Sequence, residues 1–128
     1  MPYVYPEVDA LDGHALVGTQ QCVALLQAYT RAPPAAGWRQ GVRVRGHLLL
    51  ARGTAIATFV DGAYKNRPHG NHAAFYLSQD RGGVWVMDQW QGANKLEVSR
   101  HYLQFKGVGN DGSWVDTSNN GDAFSVIE

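Results

Sequence analysis

Three residues far apart in the chain, Cys22, His72 and Asp88, have the side chains that a thiol-based acyl transfer needs. Cys22 is the only cysteine among 128 residues. A thiol nucleophile requires a base to take its proton, and that base works better when a third group fixes its ring. The chemistry would be attack of a thiolate on an amide carbonyl, with a histidine returning the proton to the leaving amine.

The cysteine lies where the sequence predicts the start of a helix. Gly18 allows a turn, Thr19 is a candidate N-cap, and residues 20–30 contain neither glycine nor proline. Backbone N–H groups at a helix start favour an anion, which lowers the pKa of a thiol. The alternative is a structural cysteine, because Cys22 shares a helical face with Leu25, Leu26 and Tyr29.

A predicted β-hairpin places the histidine beside the acid. Residues 72–77 and 84–90 are both typical of strands, and the segment between them is rich in turn residues. In an antiparallel hairpin the first residue of one strand lies near the last of its partner, so we expect His72 near Asp88 or Gln89. Register decides between the two, and Asp88 is preferred because a carboxylate also stabilises an imidazolium.

The remaining segments predict one α+β domain that spans residues 1–128. Residues 53–60 are rich in β-branched and aromatic side chains and predict a central strand. Residues 62–71 predict a polar loop that leads into the site, and residues 123–127 a last strand that closes the sheet. The fold expected is a nucleophile helix packed on an antiparallel sheet.

Composition excludes several classes of partner. Lysine plus arginine and aspartate plus glutamate each total 11, so the formal net charge is +0, without the basic patch that nucleic acids or anionic membranes attract. No apolar run approaches the length of a membrane-spanning helix. The N-terminus lacks the features of a signal peptide. We therefore expect synthesis in the cytoplasm and, for action in a periplasm, export by a non-classical route.

At this point the chain resembles the papain-like cysteine amidohydrolases of the CHAP and NlpC type, which cut amide bonds in peptidoglycan. The segments that carry the resemblance are GTQQCVALLQ, the W-x-x-G of Trp38 and Gly41, GTAIATF, GNHAAFYL and GGVWVMDQW. Small size and a glycine-rich end are also similar to type VI secretion amidase effectors. The resemblance implies a peptidoglycan amidase or endopeptidase that needs no metal or cofactor, with a cognate immunity protein as a possible partner.

The resemblance also implies roles for individual residues. Cys22 would be the nucleophile, His72 the general base and Asp88 the acid behind it. CHAP domains often place an asparagine two residues beyond that acid, where this chain has Trp90, so Gln89 or Gln20 would have to supply an amide for the oxyanion region. Tyr5, Tyr64 and Trp90 are candidates to line the substrate cleft.

Two other functions remain open from the sequence. His69, His72 and Asp88 could form a zinc site, although Pro68 and Gly70 oppose the helix that usually spaces such histidines. In the second, the chain is a non-enzymatic module that binds cell wall or another protein, and Cys22 belongs to its core.

Overall fold

The computed structural model describes all 128 residues and contains one α-helix and six strands. The helix is α1 (Cys22–Tyr29), and the strands are β1 (Gln40–Arg43), β2 (Ala55–Thr58), β3 (Ala73–Gln79), β4 (Gly83–Asp88), β5 (Ser99–Gln104) and β6 (Phe124–Ile127). Short 3-10 turns lie at Val8–Leu11, Ala35–Gly37, Thr117–Asn119 and Gly121–Ala123. None of the helices has the length and apolar character needed to cross a membrane. The predicted α+β class is confirmed.

The strands form one antiparallel sheet in the order β1-β6-β2-β3-β4-β5. The predicted β3–β4 hairpin is present, with Phe75 opposite Met87. The predicted central strand is β2, which is buried along its whole length. The last strand differs from expectation, because β6 is inserted between β1 and β2 instead of adding to an edge. Its position joins the chain terminus to the middle of the sheet.

Side chains of the central strands β6, β2, β3 and β4 are buried on both faces of the sheet. Helix α1 covers one face, where Leu25 and Leu26 join a core cluster with Phe75 and Met87. The other face is covered by loops and contains a second cluster of buried residues: Val44, Ile56, Ala74, Tyr76, Val84, Val86, Leu103, Phe124 and Val126. Burial of a large apolar side chain stabilises the fold by roughly 1.5–3 kcal/mol. The central strands therefore provide a rigid support for whatever lies at their ends.

The start of α1 corrects the predicted cap. The helix begins at Cys22, two residues later than predicted, and its N-cap is Gln21, which makes no side-chain capping bond. Thr19 instead accepts a hydrogen bond from the Gln21 amide at 3.4 Å, outside the helix. Gly18 and Gln20 have φ values of 56° and 69°, a tight turn that glycine adopts freely and glutamine does not. This turn makes Cys22 the first helical residue.

Candidate active site

Cys22 is half-buried at the N-terminus of α1, where it faces the N-terminal end of β3. Its Sγ atom lies 3.7 Å from the hydroxyl of Tyr64. The amide of Ala73, the first residue of β3, and the imidazole of His72 also interact with the sulfur. The N–H of a first helical residue has no acceptor within its own helix. The thiol is therefore surrounded by hydrogen-bonding groups and is not enclosed among aliphatic side chains.

His72 immediately precedes β3 and is 7% exposed. Its backbone pairs with the end of β2, because its N–H donates to Thr58 Oγ1 at 3.0 Å and its carbonyl accepts from the Thr58 N–H at 2.9 Å. The ring nitrogen Nε2 lies 2.8 Å from Asp88 Oδ2. With Nε2 engaged there, Nδ1 is the nitrogen left for the Cys22 thiol.

Asp88 is the last residue of β4 and is fully buried. Its Oδ2 atom lies 2.8 Å from two imidazole nitrogens, Nε2 of His72 and Nδ1 of His101. The other carboxylate oxygen, Oδ1, accepts from the Lys95 ammonium at 3.3 Å. A buried carboxylate is costly unless it is paired, and here three donors pair it.

The surroundings shift the pKa values of all three groups in the direction that favours an ion pair. Burial raises the pKa of the Cys22 thiol, but hydrogen bonding to His72 and its charge outweigh burial and hold that pKa below its ordinary value. Burial lowers the pKa of His72, but its bonds to Asp88 and Cys22 raise it to about 9. Burial also raises the pKa of Asp88, and hydrogen bonds from His101 and His72 reverse this, so it falls well below its usual range. These shifts favour a thiolate beside an imidazolium.

The same cluster contains a possible metal donor set, although not the one predicted. One ligand atom each from His72, Asp88 and His101 lies within 4.8 Å of the others, a combination that zinc accepts. His69 is exposed and does not belong to this set. Both ring nitrogens lie at hydrogen-bonding distance from one carboxylate oxygen, and an ammonium occupies the other. The cluster is therefore a hydrogen-bond network, and the Lys95 ammonium already pairs with its carboxylate.

The two glutamine candidates lie elsewhere than expected. Gln89 is fully buried and does not contact His72; its amide bonds the N–H and carbonyl of Val17 and the carbonyl of Gln21. It therefore braces the turn that leads into Cys22. The side chain of Gln20 is exposed and makes no hydrogen bond within the protein, so its role as an amide donor in the oxyanion region stays a prediction. The histidine is bonded by Asp88, the residue preferred because a carboxylate also stabilises an imidazolium.

A cavity of about 450 Å³ opens over the thiol and the imidazole. Of the three aromatic candidates, Tyr64 and Trp90 line it. Tyr5 does not; its ring lies 5.0 Å from that of Tyr29 and 6.1 Å from that of Phe75, so it packs into the core. The lining also includes polar side chains of the 62–71 loop, so this loop does lead into the site: Asn66, Arg67 and Asn71.

A family profile described as "Domesticated amidase effector 2" matches residues 4–127, nearly the whole chain. The chain belongs to this family. Among its relatives is a "Type VI secretion amidase effector 2 protein" of Salmonella typhi, 47% identical over 133 residues that cover 100% of both chains. A "Domesticated amidase effector 2" of Ixodes scapularis is 33% identical over 116 residues, which cover 88% of this chain and 73% of the relative.

A solved structure of a "Type 6 secretion amidase effector 2 (Tae2)" superposes with a TM-score of 0.92 at 45% identity, covering 98% of this chain and 94% of the other. The resemblance to amidase effectors and to their papain-like fold is thereby confirmed. This identity is high enough for the match to concern the family as well as the fold.

Two residues that contact Asp88, His101 and Lys95, were not predicted from the sequence. Both lie beyond the hairpin, and β5 brings His101 back because Asp88 pairs with Ser99. Residues offset by two on paired strands are diagonal neighbours on one face. The position of His101 beside Asp88 depends on the register of β5 against β4, which local sequence patterns do not fix.

Proposed function

We propose that this chain is a peptidoglycan amidase that cuts an amide bond of the stem peptide or cross-bridge through a Cys22 acyl-enzyme. The observation that carries the proposal is the position of the His72 ring, which bonds Asp88 at 2.8 Å through Nε2 and lines the same cavity as the Cys22 thiol. A cleft lies directly over this pair. Membership of a family described as amidase effectors supports the same reaction.

In the first half-reaction the Cys22 thiolate attacks the carbonyl carbon of the scissile amide. The C–N bond breaks when the protonated His72 donates its proton to the leaving amine, which departs as a neutral amine, and the carbonyl remains joined to sulfur as a thioester. The negative oxygen formed on attack needs donors, and the N–H of Cys22, at the start of α1, is the candidate that the helix supplies.

The second half-reaction restores the thiol pair. His72, now neutral, takes a proton from a water molecule whose oxygen attacks the thioester carbon. Collapse of this adduct breaks the C–S bond, releases the acyl fragment as an acid and regenerates thiolate and imidazolium. Asp88 stays ionised throughout, and its role is to hold the ring and stabilise its charge.

The cleft suits a polar peptide that carries negative charge. Arg67 is the only arginine or lysine among the residues that line the cavity over the thiol, and no carboxylate lines that cavity. Its guanidinium makes no salt bridge within the protein. Cell-wall peptides carry free carboxylates, which a guanidinium binds in bidentate geometry. Tyr64 and Trp90 supply apolar surface for the rest of the substrate.

Delivery and protection follow from what the relatives are called. We propose that the protein is made in the cytoplasm and delivered by type VI secretion into the periplasm of a target bacterium, where its substrate lies. A cell that makes such an enzyme would need an immunity protein, and the open cleft around Cys22 and His72 is the surface that an inhibitor would cover.

Digestion of purified wall fragments tests the proposed reaction. Wild type and Cys22→Ser would be incubated with peptidoglycan fragments, and the products read by mass spectrometry; Ser125→Ala, a buried hydroxyl outside the site, is a control for the general effect of a hydroxyl change. Wild type and Ser125→Ala should give two fragments whose masses add up to that of the substrate plus one water, and Cys22→Ser should leave the substrate intact. Intact fragments with wild type, or equal cleavage by Cys22→Ser, would overturn the proposal.

A further inference from the structure

Asp88 is shared by two histidines. Nδ1 of His101 lies 2.8 Å from Asp88 Oδ2, the same distance as Nε2 of His72 from the same oxygen. Oδ1 is occupied by the Lys95 ammonium. Each oxygen of the Asp88 carboxylate therefore accepts a hydrogen bond from a residue other than His72. Rotation of the carboxylate would break at least one of these bonds.

His101 is held in place independently of the reaction. It lies within β5, where its backbone pairs with Val86 of β4. This pairing fixes the position of the His101 ring along the strand, beside the Asp88 carboxylate. The Trp90 ring packs 5.4 Å from the His101 ring and 6.3 Å from the His72 ring, and the Lys95 ammonium lies 4.4 Å from the centre of the Trp90 ring. Trp90 thus covers the cluster and limits the access of water to its hydrogen bonds.

A bond to Oδ2 acts on His72 through the carboxylate. A side-chain carboxylate rotates unless its oxygens are fixed, and a misplaced partner turns the imidazole away from the thiol. The three charged or titratable side chains bonded to Asp88 are His72, His101 and Lys95, each from a different segment. The side chain of His101 is 30% exposed, so its ring is the link of this cluster that reaches the surface.

We propose that His101 is a positioning residue of the reaction: its Nδ1–H fixes Asp88 Oδ2, so that the carboxylate holds His72 against Cys22. This role rests on the proposed thiol mechanism and adds a fourth member to its chain of contacts. His101 reaches the reaction only through Asp88, so its effect must vanish when that carboxylate is removed.

Three substitutions, used in four variants, test this role. His101→Leu removes the donor, and His101→Asn keeps an N–H donor near the position of Nδ1. Asp88→Asn, alone and combined with His101→Leu, shows whether the effect passes through the carboxylate. We expect His101→Leu to lower kcat on wall fragments by between about ten- and a hundred-fold, because a small misplacement of a reacting group has an effect of this size. His101→Asn should retain most of the wild-type kcat. In the Asp88→Asn background, His101→Leu should cost less than about two-fold.

The rate of Cys22 alkylation by iodoacetamide against pH supplies a readout that needs no wall substrate. We expect the pH of half-maximal alkylation to rise in His101→Leu, because a less well held His72 stabilises the thiolate less. His101→Asn and His47→Leu, a half-exposed histidine whose side chain makes no hydrogen bond, should keep the wild-type curve. Thermal unfolding of each variant confirms that it is folded.

The proposal is overturned if His101→Leu leaves the alkylation curve unchanged or moves it to lower pH. It is also overturned if His101→Asn loses as much as His101→Leu, or if the loss is equally large without the Asp88 carboxylate. A wild type that is alkylated rapidly but leaves wall fragments intact would contradict the proposed function alone, because the alkylation curves would still report on His101.

Discussion

Two buried aspartates, Asp88 at the end of β4 and Asp122 in the 3-10 turn before β6, have partners of different kinds. Asp88 ends β4 and is paired with two imidazoles and an ammonium. The side chain of Asp122 is 4% exposed; its Oδ1 accepts from Arg45 at 2.9 Å and its Oδ2 from the Gly107 amide at 2.9 Å. Both carboxylates are buried and satisfied.

The difference lies in what the partners can do. Arginine and a backbone amide keep their protons at every physiological pH, so the bonds of Asp122 fix the loop before β6 and nothing more. His72, a partner of Asp88, can release its proton, because its pKa is about 9, and it shares a cavity with a thiol. Burial and pairing alone therefore do not identify a reactive carboxylate; the titration of its partners does.

Neutralising each aspartate in turn should give the largest difference in activity between the two positions. We expect Asp88→Asn to lower kcat on wall fragments by about 10²- to 10⁴-fold, because the imidazole loses both its orientation and the charge that stabilises its protonated form. Asp122→Asn should stay within about two-fold of wild type, since it contacts no member of the site. Similar losses in both variants, measured at a temperature where both are folded, would contradict the assignment.

The pH dependence of kcat/KM should also separate the two carboxylates. Activity should rise as the Cys22 thiol ionises and fall by about tenfold per unit as pH rises through about 9, where His72 loses its proton. His72 has a pKa above its value in the unfolded chain, so its contribution to stability is complete below about 6.5 and is lost through about 9.

In Asp88→Asn the alkaline limb should move to lower pH, and in Asp122→Asn it should not move. Rate profiles of the three proteins across the stable pH range would check this. An alkaline limb that stays near 9 without the Asp88 carboxylate would show that another group raises the pKa of His72.

The free energy of unfolding should reveal what Asp122 does. Replacing its carboxylate by an amide leaves Arg45 and the Gly107 N–H without a charged acceptor, at a cost of about 1–3 kcal/mol. Urea unfolding at neutral pH measures this directly. Arg39→Gln, which alters an arginine that makes no salt bridge, is a control and should change little. An unchanged midpoint for Asp122→Asn would mean that the buried bonds add no net stability.

The smallest expected loss of activity is for Tyr64, whose hydroxyl lies beside the Cys22 thiol. Tyr64→Phe removes the hydroxyl that lies 3.7 Å from Cys22 Sγ and donates to Asn71 Oδ1 at 2.9 Å. Burial and the adjacent thiolate raise the pKa of Tyr64, so this hydroxyl stays protonated and acts as a neutral donor. We expect kcat/KM to fall by about two- to five-fold. A loss as large as that of Asp88→Asn would assign Tyr64 a part in the chemistry.

Local sequence patterns were sufficient for the hairpin and for the thiol helix. The strand pattern on both sides of a turn-rich segment placed His72 near Asp88 or Gln89, because a hairpin brings the start of one strand to the end of the other. The choice of Asp88 came from the chemistry of a carboxylate and not from the register. The helix start was misplaced by two residues, because the positive φ of Gln20 depends on packing and not on capping preference.

Long-range pairing was beyond the same patterns. His101 approaches Asp88 only through the register of β5, and β6 reaches the centre of the sheet from the end of the chain. Tyr5, which lies far from the cleft, shows the same limit, since an aromatic side chain carries no mark that distinguishes core from cleft. Spatial proximity of this kind is set by the whole fold.

The most direct test of the reactive pair is the rate at which iodoacetamide alkylates Cys22 at neutral pH, compared between wild type, His72→Ala and Asp122→Asn. We expect rapid alkylation in wild type and Asp122→Asn, and a rate at least about ten-fold lower in His72→Ala, because the thiol then loses its charged partner. Equal rates in wild type and His72→Ala would contradict the central claim that His72 activates Cys22.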